Sequence, residues 1–475
     1  MRAGGQPDGL LEYEARALLA RLDQVKPLAL HETMVLAAAL PYRAQQCIEQ
    51  FLHSGRRRLR VRVNAYLRWL TGPGRSSDPA VKQRRFVLIR MEFNDVLSQF
   101  DLFTEVVTQR SEHGTGVWLS GLDVLAADAL RVDVAGYEPA SAVCYLARGP
   151  GAAIRRAHTR LPGGGSNPVA IIRVPRERMV GSGIASSLIH EVGHQGAAQL
   201  GLVETLRGDL ARARAAGPDG VWDTFDRWLS EIVADCWSVG KLGLTSTVGL
   251  LAVVSLPPYF VFRPSGEDPH PTPYLRVLIS ASIGQALYPD PQWAAMRRTW
   301  KRLYPVDGLP ADRRAALARI ERGIPAFVRL LLNHRSDQLD GRRLGDLWPL
   351  RERHPQRLLA LHRRWAGDLA VMARQPPSLV FAVIGQAKSA GLIDPETESA
   401  TLSDLLTAWA VRSTLDVVQR WPAGQASSPS PIYRLRGHHR ADYMDPGSDP
   451  GRPAGQAAHR PDRGRAGRRL HLQLR

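Results

Sequence analysis

Apolar residues in the first seventy positions recur every three or four places. Leu10, Leu11, Ala15, Leu18, Leu19 and Leu22 form one stripe, and His31 to Leu52 continues in the same style, so residues 9–70 are predicted to be helical. Gly72-Pro73-Gly74 with Ser76 and Ser77 breaks the pattern, and another helical stretch is expected over roughly 80–110. Between 115 and 150 the apolar runs shorten and β-branched residues increase, which predicts strands there. Leu161–Pro168 reads as a loop feeding a short strand, Val169–Val174, closed by Pro175. A helix follows, with Ser182 as its candidate N-cap and Gly201 ending it just after Leu200. The stretch from about 308 to 420 is again helical, clearest in Arg313–Leu332 and Leu402–Val418. From Pro422 onward Pro, Gly, Ser, Ala and Arg dominate. Such a segment cannot bury enough surface to offset its ordering entropy, and residues 422–475 are expected to be a disordered basic tail.

Composition narrows the class. With 44% hydrophobic and 23% charged residues over 475 positions, a sizeable core in a soluble globular protein is expected. Cys47, Cys144 and Cys236 lie far apart and form no CxxC pair, which argues against a disulfide framework and against a cysteine-ligated zinc. Asp8, Glu12 and Glu14 interrupt any apolar run at the N-terminus, so no signal peptide is visible and a cytoplasmic location is expected. Residues 242–262 carry no charge and approach the length of a bilayer span. Pro257-Pro258 and the scattered Gly, Ser and Thr residues favour a buried helix running into a turn over membrane contact, which stays as the alternative for 242–262. The net charge of +18 raises nucleic acid as a partner. Five of the 63 basic residues are lysine and the rest arginine, spread along the chain with Arg56-Arg57-Arg58 as the densest run before the tail. No interleaved aromatic pattern accompanies them, so nucleic acid is not the expected partner.

The informative string is Ile189-His190-Glu191-Val192-Gly193-His194. HExxH on a helix puts both histidines on one face, one turn apart, where they can share a zinc ion. Glu191 is rotated about 100° from His190, so it reaches water at the metal without being a ligand, as a general base must. Ala185, Leu188 and Val192 fall on the opposite face, and Gly193 leaves room for close approach beside the metal. A third ligand must come from elsewhere. In Trp228-Leu229-Ser230-Glu231-Ile232-Val233-Ala234-Asp235, two acids one turn apart interrupt an apolar helix. Buried carboxylates need partners; zinc can serve one and the outer nitrogen of a ligating histidine the other. Spacing alone permits either acid to reach the metal, with Glu267, Asp268 and His270 next in line.

HEVGH followed by SEIVAD resembles the gluzincin metallopeptidases, whose pattern is HExxH with a downstream glutamate in an ExxxD helix. The ExxAD form and the later Asp268-Pro269-His270-Pro271-Thr272-Pro273-Tyr274-Leu275-Arg276 are most similar to the M48 peptidases. The resemblance covers about 165 to 285, under a third of the chain. It implies zinc on His190, His194 and Glu231, a base at Glu191, and Asp235 orienting His190. It further implies His270 and Arg276 as stabilisers of the oxyanion that forms at the attacked carbonyl, with Tyr274 a weaker candidate for that task. In gluzincins, a strand placed like Val169–Val174 is the free edge along which an extended peptide lies.

The expectation is a mainly α protein with a small α+β catalytic region, a zincin-like active-site helix and an upstream edge strand. Its regions are a helical N-terminal part (1–135), a zincin-like catalytic part (136–300), a helical C-terminal part (301–421) and the tail. The expected function is a zinc metallopeptidase, a hydrolase acting on peptide or protein substrates. The alternatives are a zinc hydrolase of a non-peptide amide or ester, and a non-catalytic zincin-fold interaction protein, against which the intact Glu191 speaks.

Overall fold

A computed structural model describes residues 7–24, 34–149, 151–161, 164–176, 181–217, 220–264, 266 and 268–420; the expected tail at 422–475 lies outside them. The chain opens with three helices, α1 (Pro7–Gln24), α2 (Tyr42–Thr71) and α3 (Pro79–Thr108). The glycine break separates α2 from α3. Asp78 begins α3 by accepting the Ala80 N–H, with Pro79 in the first turn, where its missing N–H costs nothing. Leu18, Leu22, Ile48, Leu59, Phe86, Phe93 and Phe103 bury their side chains in a shared core between the three.

The strands predicted over 115–150 are only partly present. His113–Leu130 is a helix, α4, and only Ala142–Ala147 is a strand, β1. Leu119, Leu122, Leu125, Ala126, Ala129 and Leu130 are all buried, so α4 is apolar nearly all round. A helix buried on every side loses the polar face by which periodicity recognises it.

The sheet has three strands, β1, β2 (Ala153–Arg155) and β3 (Ala170–Pro175), in the order β1-β3-β2. β3 runs parallel to β1 and antiparallel to β2. This corrects the expected edge: the strand before the active helix is the central one, with both edges paired. Its unbroken apolar run, Ala170-Ile171-Ile172, fits a strand covered on both faces. Ala170, Ile172 and Val174 face the larger core, while Val169 and Ile171 face the α1–α3 helices.

The larger core is built around α5 (Gly183–Gln199), α6 (Leu202–Ala216), α7 (Val221–Leu242) and α8 (Leu244–Val254). It continues through α9 (Pro273–Leu287), α10 (Pro291–Leu303), α11 (Ala311–Asn333), α12 (Pro355–Trp365), α13 (Pro377–Ser389) and α14 (Pro395–Arg420). The described residues up to 420 fall in one compact unit. Gly201, in the left-handed region at φ 57°, stands between α5 and α6, as expected. Ser182 occupies the N-cap position of α5, but its side chain caps nothing. The Ser182 N–H instead donates to Glu398 of α14, whose other oxygen accepts from Lys388.

The uncharged 242–262 stretch ends α7, forms α8 and turns at Ser255–Pro257 into a single-turn helix, Pro258–Val261. Its polar residues are used internally. Ser246 and Ser238 bond each other, Ser186 of α5 donates to the Ser246 carbonyl, and Thr247 pairs with Ser280 of α9. No helix among the described residues is long and apolar enough to cross a membrane.

Candidate metal centre

Helix α5 buries Ile184, Ala185, Leu188 and Val192, which turns His190 and His194 toward α7. Helix α7 is buried along most of its length, and Glu231 and Asp235 meet the histidines one turn apart. Two glycines set the spacing of the helices. A Cβ on Gly193 would stand 2.8 Å from the Trp237 Cβ and 3.0 Å from the Ala234 Cα; one on Gly196 would stand 2.3 Å from the Trp237 ring. Gly193 therefore leaves room for the α7 backbone, which is how it brings the ligand helices together.

His190 Nε2 lies 3.2 Å from Glu231 Oε2, and His194 Nε2 lies 3.4 Å from Glu231 Oε1. One donor atom from each of the three residues lies within 4.8 Å of the others. Tetrahedral zinc with bonds near 2.0–2.2 Å places its ligand atoms about 3.3 Å apart. Glu231 Oε2 is buried; among the described residues His190 Nε2 and His270 Nε2 stand 3.2 Å from it and Arg276 Nη2 3.7 Å, none of them aligned for a hydrogen bond. A buried carboxylate oxygen left in that state is costly, and a cation between the three residues removes the cost. The residues thus fit a metal ion.

Each histidine has an outer partner. His190 Nδ1 is 2.8 Å from Asp235 Oδ1, the orienting contact that the resemblance implies. His194 Nδ1 is 3.4 Å from the Ser230 hydroxyl. Arg276 grips Asp235 with both Nε (2.7 Å) and Nη2 (2.9 Å), a bidentate pair. Burial raises the Asp235 carboxyl, but the charges of Arg276 and His190 outweigh it and hold it at about 2. Burial likewise lowers His190, and Asp235 then lifts its imidazole to about 9. In Glu231 burial is outweighed by the contacts with His190 and His194, which hold it well below the usual carboxylate range.

The two expected oxyanion stabilisers are placed differently. The Arg276 guanidinium is committed to Asp235 and lies along the His190 ring, its Nη2 3.4 Å from Nδ1, 3.3 Å from Nε2 and 3.7 Å from Glu231 Oε2. His270 is 46% exposed, and its Nε2 is 3.2 Å from Glu231 Oε2, on the open side of the centre. Asp268 is its outer partner, 2.6 Å from Nδ1, and Arg263 holds Asp268 at 2.8 Å. Tyr274 is buried against Phe262, ring centres 5.1 Å apart. Glu191 is only 9% exposed, and no hydrogen bond or ion pair holds its carboxylate among the described residues. Sequence reasoning missed Ser230 and Arg263. It placed Asp268 only as a reserve ligand, although an Asp two residues before a His is a local signal for such a pair. Glu267, the other reserve, lies outside the described residues.

No family model, curated protein or solved structure matches the chain.

Proposed function

We propose that the chain is a zinc metallopeptidase, with the metal on His190, His194 and Glu231 and with Glu191 as general base. The observation that carries this reading is the convergence of the HExxH histidines on one buried glutamate, their Nε2 atoms 3.2 and 3.4 Å from its two oxygens. Two histidines and a glutamate are a donor set of catalytic zinc, which keeps a fourth position open. Bound there, zinc supplies Lewis-acid polarisation of a carbonyl and acidifies water.

The chain's own residues supply the rest. The free Glu191 carboxylate accepts a proton from the attacking water and returns it to the leaving amine. His270, exposed and oriented by Asp268, donates from Nε2 to the oxygen on which negative charge develops. Arg276 fixes Asp235, and Asp235 fixes the His190 ring, so the ligand set is arranged before metal enters. The intact Glu191 favours catalysis over a scaffold role, which does not need that carboxylate.

The test is metal analysis of the purified protein together with digestion of a mixed peptide library. About one zinc per chain and cleavage that a chelator abolishes and zinc restores are expected. Zinc without peptide cleavage, alongside turnover of simple esters or amides, would assign the centre to a non-peptide hydrolase.

A further inference from the structure

Among the described residues, two stretches of five hold three large exposed apolar side chains each, Val87, Leu88 and Met91 on α3 and Leu256, Tyr259 and Phe260, and the second is tied to this centre by a chain of ion pairs. Leu256 is 45% exposed, Tyr259 80% and Phe260 46%, all within five residues. Scattered single apolar side chains are ordinary on a protein surface; three large ones on one short turn are not. The Tyr259 and Phe260 rings meet edge to face, 5.2 Å apart.

This knuckle is firmly held. Val261 and Phe262 behind it are buried, and Phe262 packs on Tyr274 at the start of α9, the helix that carries Arg276. Tyr304 donates to the Leu256 carbonyl at 2.9 Å, and Arg313 donates to the Phe262 carbonyl. Exposed aromatic rings on an anchored turn lose little freedom when something binds them. The knuckle also connects to the metal centre through side chains. Arg263, three residues after Phe260, pairs with Asp268, which pairs with His270, which touches Glu231. Summed along that path, the knuckle lies at most roughly 25 Å from Glu231, the length of about seven extended residues.

Resting on the peptidase reading, we infer that Leu256, Tyr259 and Phe260 form a secondary binding site for apolar side chains of the substrate. It holds an extended polypeptide about four to seven residues from the bond that is cut. The substrate class is then unfolded or extended polypeptide bearing aromatic or large aliphatic residues at that distance. A lipid surface fits less well, because interfacial insertion draws on free basic residues beside the apolar ones, and Arg263 is paired with Asp268.

The experiment compares the wild-type protein with the Tyr259→Ser/Phe260→Ser double variant on a mixed peptide library, with cleavage sites read by mass spectrometry. Both rings are exposed, so zinc content and melting temperature should match the wild type. The wild type should enrich aromatic and large aliphatic residues about four to seven positions to one side of the cut, and the double variant should lose that enrichment. Unchanged enrichment in the variant, or none in the wild type, overturns the inference. A second measurement separates this failure from failure of the peptidase reading. A carboxyfluorescein-labelled peptide with Phe at alternate positions is titrated with zinc-loaded Glu191→Gln protein, with and without the two serines. The serines should raise Kd about tenfold. An unchanged Kd overturns the knuckle even where the library is cut. A knuckle-dependent Kd without any library cleavage overturns the peptidase reading instead. A dimer in sedimentation that the double variant abolishes would give the knuckle to a second copy and also overturn the inference.

Discussion

Two helix pairs in this molecule pack by different means. The α2–α3 pair meets through large side chains, with Leu59, Val63, Tyr66, Phe86, Phe93 and Val96 filling the seam. Its one tight glycine, Gly55, has the Val96 Cγ1 methyl 3.3 Å from where a Cβ would stand. The α5–α7 pair meets nearly backbone to backbone at Gly193 and Ala234, while Gly196 makes room for the Trp237 ring. Large side chains bury area and stabilise, yet they adjust when one is changed. Backbone contact buries less, but it fixes where the next residues on each helix stand. His190, His194, Glu231 and Asp235 are those residues, and the metal site proposed for them would tolerate deviations of only about 0.2 Å in its bonds. The first interface contributes stability, the second geometry.

The sharpest break of that contrast is loss of a ligand. Glu231→Ala leaves two histidines and should abolish stoichiometric zinc, whereas Asp235→Ala keeps all three ligands, freeing the His190 ring and the Arg276 guanidinium, and should weaken affinity about 10–100-fold. Competition against a chelator ranks the two; the reverse order would exchange their roles.

Truncation in the first interface should separate stability from metal. Phe93→Ala should cost about 3–5 kcal/mol of stability, seen in thermal or urea melts, while zinc stoichiometry below the transition stays at the wild-type level. Concurrent zinc loss would mean that the two interfaces are not independent.

A single methyl in the second interface should do the opposite. Gly193→Ala places a Cβ against backbone that cannot step aside, so the helices must separate, at about 1–3 kcal/mol and with zinc affinity falling at least about tenfold. Gly55→Ala meets only a side-chain methyl and gains helix propensity, so it should stay within about 1 kcal/mol of wild type. Equal zinc affinity in Gly193→Ala and wild type would contradict the geometric role of the glycine.

The smallest effect concerns protons. In the metal-free protein Asp235 lifts His190 to about 9, so near neutral pH its imidazole carries a proton that must leave when metal binds. A raised pKa makes the proton the competitor below that value. Apparent zinc affinity should therefore climb by up to about tenfold per pH unit from pH 7 to about 9, then level off. A flat profile would mean that His190 is neutral before metal arrives or is not a ligand.

The parts of this architecture that were legible in the sequence are local. His190 and His194 share a face by helical spacing, as do Glu231 and Asp235, and Gly201 ends α5 through its own conformation. The parts that were not depend on partners distant in the chain. Glu398 accepts the Ser182 N–H at the start of α5 from 216 residues away, and Arg276 meets Asp235 from 41. No periodicity encodes such meetings. β3 was read as an edge because strand order depends on where β1 and β2 return, and α4 was misread because its polar face is missing.

If Glu191 is the base of a zinc peptidase, the Glu191→Gln variant should keep its metal and lose its chemistry. Glutamine nearly matches the shape of glutamate but cannot accept the proton. Zinc per chain and cleavage of the mixed peptide library are measured on both proteins under the same conditions. Equal zinc is expected in both, with cleavage reduced at least about a hundredfold in the variant. Wild-type cleavage by the zinc-loaded variant would contradict that role for Glu191.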